Sequence, residues 1–324
     1  TYSKMLTIVF TKYSDTEAFF SFRVCLVVIG FIFNVFLILF LRHERIGSKK
    51  SSFLVKFQSS VDLVGSIGVL MAMFSNDSSI TDLDYIFGLI YCKFLYVKTT
   101  LWLCLEISTY TLLLTSIDRF IAILFPFKYR EIKLLYYQLG LLVAVVFCVL
   151  FISPVTFETY RREYLSKSNG TYVTKVTCSY QSRDTFWVTY SYLWLIFSFL
   201  LPLLCLMIIN IKIISCLTKF NETISSQSNE IKRKLSRRFT ISSIIIFFIH
   251  TATFSNDSIF YMLYLLDIKV TESLRYFYYA PSVLGINQIA NPFIYIILIK
   301  PFRIYFINLF KCGKFKKEDN GKLI

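Results

Sequence analysis

Charge is scarce in this chain. Asp, Glu, Lys and Arg make up 17% of its 324 residues, where a soluble domain carries about 25%. Histidine is scarcer still: His43 and His250 are the two in the sequence. Neither stands in a nucleophile–base pair or a metal-ligand cluster, so an enzyme reading has no chemistry to run on. There is no internal repeat and no pair of broken hydrophobic segments in matching halves, which argues against a transporter. The start lacks a signal-peptide pattern, and because residue 1 is Thr1 rather than Met, nothing is inferred from the shortness of the leader. No segment resembles a separate soluble domain.

What the chain does have is long apolar blocks. Residues of hydrophobic type reach 56% and mean hydropathy is +0.60. A bilayer core about 30 Å thick needs roughly 20 apolar residues as a helix, and lipid offers an unpaired backbone no partners. Seven blocks of that size run over Phe22–Leu41, Phe53–Phe74, Phe94–Ile117, Tyr136–Val155, Phe186–Ile214, Phe239–Leu266 and Phe277–Ile299. A shorter amphipathic piece, Pro301–Leu309, suits the membrane interface. The fold class expected is an all-α membrane protein, a seven-transmembrane helix bundle with a short interfacial helix after the seventh span. Its parts are an extracellular segment 1–21, a membrane domain 22–299, and an interfacial helix with a cytoplasmic tail over 300–324.

A net charge of +15 suggests nucleic acid until its placement is considered. The first, third and fifth loops and the tail share one side of a seven-span chain. They hold Arg42, Lys49 and Lys50, then Lys128 and Arg130, then Lys232–Lys234, Arg237 and Arg238, then Lys300, Arg303 and Lys314–Lys317. The positive-inside rule places that side in the cytosol and the N-terminus outside. The basic runs are then explained by topology and anionic lipid, and nucleic acid is not a partner. A multi-pass protein of the plasma membrane is expected.

Several motifs stand on these spans. The third ends on Ile117-Asp118-Arg119-Phe120-Ile121-Ala122-Ile123, followed by Pro126. The seventh carries Asn287-Gln288-Ile289-Ala290-Asn291-Pro292-Phe293-Ile294-Tyr295, and Phe302-Arg303 comes shortly after it. Tyr85-Ile86-Phe87-Gly88 leads to Cys92, and Cys178 lies between the fourth and fifth spans. Asn34, Asp62-Leu63 and Pro202 sit in the first, second and fifth. Together these resemble the rhodopsin-like (class A) G-protein-coupled receptors over nearly the whole chain: Asp-Arg-Tyr with Phe120 for Tyr, Asn-Pro-x-x-Tyr, and the start of the interfacial helix. The departures mark a divergent member. The sixth block, Phe247 to Phe254, lacks Cys-Trp-x-Pro. The fourth has no Trp, Asn210 replaces a usual Tyr, and the Cys92–Arg119 interval is a little long.

The resemblance implies roles for these residues. Asp118, Arg119 and Phe120, with Asn291, Pro292 and Tyr295, would form the switch that couples to a heterotrimeric G protein. Arg119 would pair with Asp118 at rest, although an interfacial snorkelling role is the plain alternative. Lys232-Arg233-Lys234 leaves no acidic lock at the foot of the sixth span. Pro292 frees a carbonyl that Asn291 and Tyr295 are expected to re-satisfy. Asn34, Asp62, Ser108, Asn287 and Asn291 would gather into a polar network. Around the intramembrane Asp62 it suits either a sodium ion or water alone; no other cofactor is expected. Cys92 and Cys178 would form a disulfide on the oxidising side. Asn169-Gly170-Thr171 is a glycosylation sequon, and Cys312 beside Lys311 has the setting of a palmitoylation site.

The ligand is narrowed by exclusion. Family spacing puts Leu101 where amine receptors carry an Asp, and Gly285 where opsins carry the retinal Lys. Lys98, Glu106 and Asp257 are ionisable groups within spans, and with Leu101 and Tyr261 they are the pocket candidates. The loops carry charges of both signs. An extracellular peptide is the expected ligand. A small-molecule chemosensory receptor is the competing reading.

Overall fold

A computed structural model describes residues 17–44, 48–74, 85–96, 98–158, 160–168, 171–179, 185–220, 230–265 and 273–310. Asn169 and Cys312 lie outside the described residues, as do the side chains of Asp257 and Tyr261.

The spans form where the apolar blocks lie. They run Glu17–His43, Lys49–Phe74, Thr99–Leu124, Leu134–Glu158, 185–220, Glu230–Leu265 and Ser273–Leu298. Six are individually long and apolar enough to cross a bilayer. The seventh, 26 residues long, is long enough at 1.5 Å per residue. The helix Lys300–Phe310 leaves its end at a bend of 98°, the geometry of a segment lying along the interface. Phe302 is fully buried there and packs on Phe40 of the first span, ring centroids 5.0 Å apart. The sixth span begins well before its apolar block because its charged lead-in, Glu230–Arg238, is made of good helix formers.

A wide, π-helical turn occurs within the fifth span and another just ahead of the third. In the fifth, Leu195–Leu200 precedes Pro202, and the N–H of Leu201 reaches back to Ile196 O. A proline ring clashes with the carbonyl four residues before it, and a widened turn relieves that contact. Before the third, Tyr85–Ile90 continues into the wide turn Tyr91–Tyr96, and Lys98 then takes φ 60°, ψ 32°. A left-handed backbone is costly for a lysine. The wide turn and the left-handed residue together absorb the extra length between Cys92 and Arg119. Cys92 thereby stays bonded to Cys178, with Cα atoms 5.3 Å apart.

Cys178 belongs to a hairpin. Strand β1 (Tyr160–Ser168) pairs antiparallel with β2 (Thr171–Ser179) in unbroken register from Tyr160↔Ser179 to Ser168↔Thr171. The bundle is helical as expected; this loop between the fourth and fifth spans is an added β element.

The bundle packs inside out. The fourth span turns Leu142, Val143, Val146 and Leu150 outward, as a lipid-facing surface does. The third is central and buries Thr109, Thr111, Thr115 and Ser116. Gly68 allows the second and third spans to approach: a Cβ there would stand 3.1 Å from the Leu101 backbone nitrogen. One apolar cluster, with Phe40, Val55, Leu112, Phe239, Phe247, Tyr295 and Phe302, fills the end that carries Arg119. A second, with Val27, Val69, Leu101, Leu105, Phe254 and Leu284, fills the other half. Between them comes a polar layer supplied by the first, second, third, sixth and seventh spans.

Candidate functional site

Asp62 is fully buried in that layer, so its oxygens must be met by donors. Gln58 precedes it by one helical turn and shares its face. Gln58 Nε2 donates to Asp62 Oδ1 at 3.1 Å and also to Ser108 Oγ. Ser108 Oγ donates to the same Oδ1 at 3.2 Å, and Asn291 Nδ2 donates to Oδ2. Second, third and seventh spans thus meet at one carboxylate. Asn287 does not touch it; its Oδ1 accepts from Thr253 Oγ1 at 2.9 Å. A small hard cation needs oxygen ligands around it. The groups converging on Asp62 are amide and hydroxyl donors, and this set does not suit a sodium ion.

Pro292 leaves the carbonyl of Gln288 without its helical donor. Asn34 of the first span supplies one: its Nδ2 donates to Gln288 O at 2.7 Å and to Gly30 O at 2.9 Å. The freed carbonyl is therefore satisfied from another helix, not by Asn291 or Tyr295 as the sequence suggested. Asn291 is engaged with Asp62, and the ring of Tyr295 stacks on Phe239 at 5.8 Å and 14°.

The sixth span, which has no Trp and no Pro at its centre, is held by hydrogen bonds instead. Thr109 Oγ1 donates to Leu105 O at 2.9 Å, which leaves it to accept from His250 Nε2 at 2.9 Å. With Thr253–Asn287, this ties the sixth span to the third and the seventh. Beside these bonds lies a cavity of about 10 Å³, bordered by Gln58, Ser108, His250, Asn287 and Asn291, room for about one water.

At the far end Asp118 and Arg119 are buried together. Arg119 Nε donates to Asp118 Oδ2 at 3.1 Å, and Nη2 reaches both that oxygen and Ser51 Oγ. Ser51 Oγ donates to Asp118 Oδ2 at 2.9 Å. The guanidinium carbon stands 4.5 Å over the Phe239 ring. Ser48 caps the second span by accepting from Ser51 N at 3.1 Å and pairs with Tyr129 Oη at 2.6 Å. Tyr129 lies in the short helix Pro126–Glu131. Burial first, and then the Asp118 charge, push its phenol above the ordinary value, so it stays a donor. Phe120 is half-buried, its ring 6.2 Å from Phe125.

Three of the pocket candidates, Leu101, Lys98 and Glu106, have described side chains. Leu101 has no exposed surface and sits in the apolar cluster. Lys98 is half-buried at the start of the third span. Glu106 is buried on the same helix, with the Ser198 hydroxyl of the fifth span beside its carboxyl. Gln58, Ser51, His250 and Phe239 were the residues sequence reading missed. Gln58 and Asp62 had one usable signal, two polar residues a turn apart inside an apolar span.

A seven-span bundle, a polar layer on Asp62 and a buried Asp-Arg pair at one end form a recognisable set. The model of the 7 transmembrane receptor (rhodopsin family) matches residues 33–295. No individual curated protein matches. Members of this family are receptors rather than enzymes. Since the match covers most of the sequence, the chain belongs to the rhodopsin family of seven-transmembrane receptors.

Proposed function

We propose that the chain is a plasma-membrane receptor that binds an extracellular peptide and activates a heterotrimeric G protein through Arg119. The N-terminus lies outside and the C-terminus in the cytosol, because Arg42, Lys50, Lys128, Arg130, Arg237, Arg238 and Arg303 gather at the Arg119 end. That orientation puts Asn169 on the side where glycans are added and Cys312 on the side where thiols are acylated.

The hairpin carries the ligand reading. It is pinned by Cys92–Cys178 to the wide turn ahead of the third span, and a two-stranded ribbon offers edges on which an extended peptide can add a strand. Arg161, Arg162 and Glu163 on β1 and Lys175 on β2 add charges of both signs along it. Leu101 and Gly285 provide neither a carboxylate for an amine ligand nor an amine for retinal. An exposed charge pair contributes only about 0–1 kcal/mol, so affinity requires an apolar anchor within the bundle mouth.

The test is second-messenger output from cells expressing the chain, challenged with a neuropeptide library and with a small-molecule library. A peptide should respond, and Arg119→Ala should abolish the response at equal surface level. A response to small apolar compounds alone, unchanged by Lys98→Ala, would replace the peptide with a chemosensory ligand.

A further inference from the structure

The polar centre of this family is where a sodium ion is expected, and the donors around Asp62 do not fit one. We propose that the Gln58 side-chain amide takes the cation's place, so that the polar centre holds together without sodium. Gln58 is buried and one turn from Asp62. Its Nε2 bridges Asp62 Oδ1 and Ser108 Oγ, two oxygens a cation would coordinate. Asp62 Oδ1 therefore takes two donors, from Gln58 and Ser108, while Oδ2 takes Asn291. The two amide groups present N–H hydrogens, the positive ends of their dipoles, to the carboxylate. They supply the positive potential an ion would bring, and they would repel an ion approaching the same lone pairs.

The neighbouring cavity supports the same conclusion. Gln58 Oε1 and Asn287 Nδ2 are buried with no hydrogen-bond partner among the described residues, and both residues border it. One is an acceptor and the other a donor. A water can donate to the first and accept from the second, whereas a cation would face the Asn287 N–H. At about 10 Å³ the space matches a single water. Water fills the gap, and the Gln58 amide holds the ion's position.

The inference rests on family membership but on neither ligand nor G protein, and its readout needs neither. The purified full chain is melted in sodium chloride and in choline chloride at equal ionic strength. The wild type should melt at the same temperature in both. Gln58→Ala removes the amide and joins its volume to the cavity; it should gain a sodium-specific rise of about 2–4 °C, abolished by adding Asp62→Asn. Gln58→Ser is the second variant should the alanine fail to fold. A sodium-specific rise in the wild type would overturn the proposal, as would folded Gln58 variants that ignore sodium. The wild-type arm decides even if no variant folds. A failed peptide screen would leave this result untouched.

Discussion

Phe239 makes a prediction that can be worked from geometry. No acidic side chain follows Glu230 through the start of the sixth span, yet the Arg119 guanidinium is buried and needs something from that helix to hold it. The structure gives it the face of Phe239, 4.5 Å from Cζ, with Tyr295 stacked against the same ring. A cation over an aromatic face contributes about 2 kcal/mol when desolvated, and Phe239 is 1% exposed. Phe239→Leu keeps an apolar side chain but removes the quadrupole. If the ring holds Arg119 inward at rest, losing about 2 kcal/mol moves the resting-to-active ratio by about 30-fold. The assay is ligand-independent second-messenger output at matched surface level, which should rise well above wild type. Ile246→Val is the control: it trims the same apolar cluster, costs about 1 kcal/mol of packing, and should leave basal output unchanged. Unchanged or lowered basal output in a well-expressed Phe239→Leu would refute the reasoning, and Arg119 would then be held by Asp118 and Ser51 alone.

Other changes separate structural from signalling roles. Cys92→Ser should release the hairpin and lose surface delivery or ligand binding; mass spectrometry finding both thiols free in folded protein would contradict the bridge. Glu106→Met should raise the melting temperature, since a buried carboxyl short of donors among the described residues costs about 1–3 kcal/mol, unless the carboxyl is a ligand contact, in which case binding falls. Gly68→Val should destabilise the packing of the second and third spans, read as lost detergent stability, because the added carbon meets the Leu101 backbone. Asn34→Leu should lower stability by about 1–3 kcal/mol by stranding the Gln288 carbonyl, measurable by thermal melting.

The spans were legible because bilayer thickness imposes one strong constraint, and a block of apolar residues satisfies it almost regardless of which residues they are. The hairpin was less so. Asn169-Gly170 is a strong two-residue turn signal ahead of a run rich in Thr and Val, but the same dipeptide opens a glycosylation sequon, and the largely charged run before it hides the first strand. The wide turn before the third span left only an indirect trace, an interval slightly too long. Backbone widening has no residue signature of its own beyond a proline, and there is none near Tyr91–Tyr96.

The polar layer was the hardest part to read, for a physical reason. Motif spacing places Asp62, Ser108, Asn287 and Asn291 in one layer, but it does not say which way an amide points. Asn34 pairs with a backbone carbonyl exposed by a proline 258 positions away (Asn34 to Pro292), a partner no side-chain motif encodes. Gln58 and Asn291 present nitrogen to Asp62, and that choice of atom separates a cation site from a self-neutralised one. The missing Trp and Pro of the sixth span belong to the same argument. His250–Thr109 and Thr253–Asn287 tie the helix at the level where other members carry a ring and a kink. A helix held by hydrogen bonds moves only when they break, so any displacement of the sixth span would have to exchange those two bonds for others.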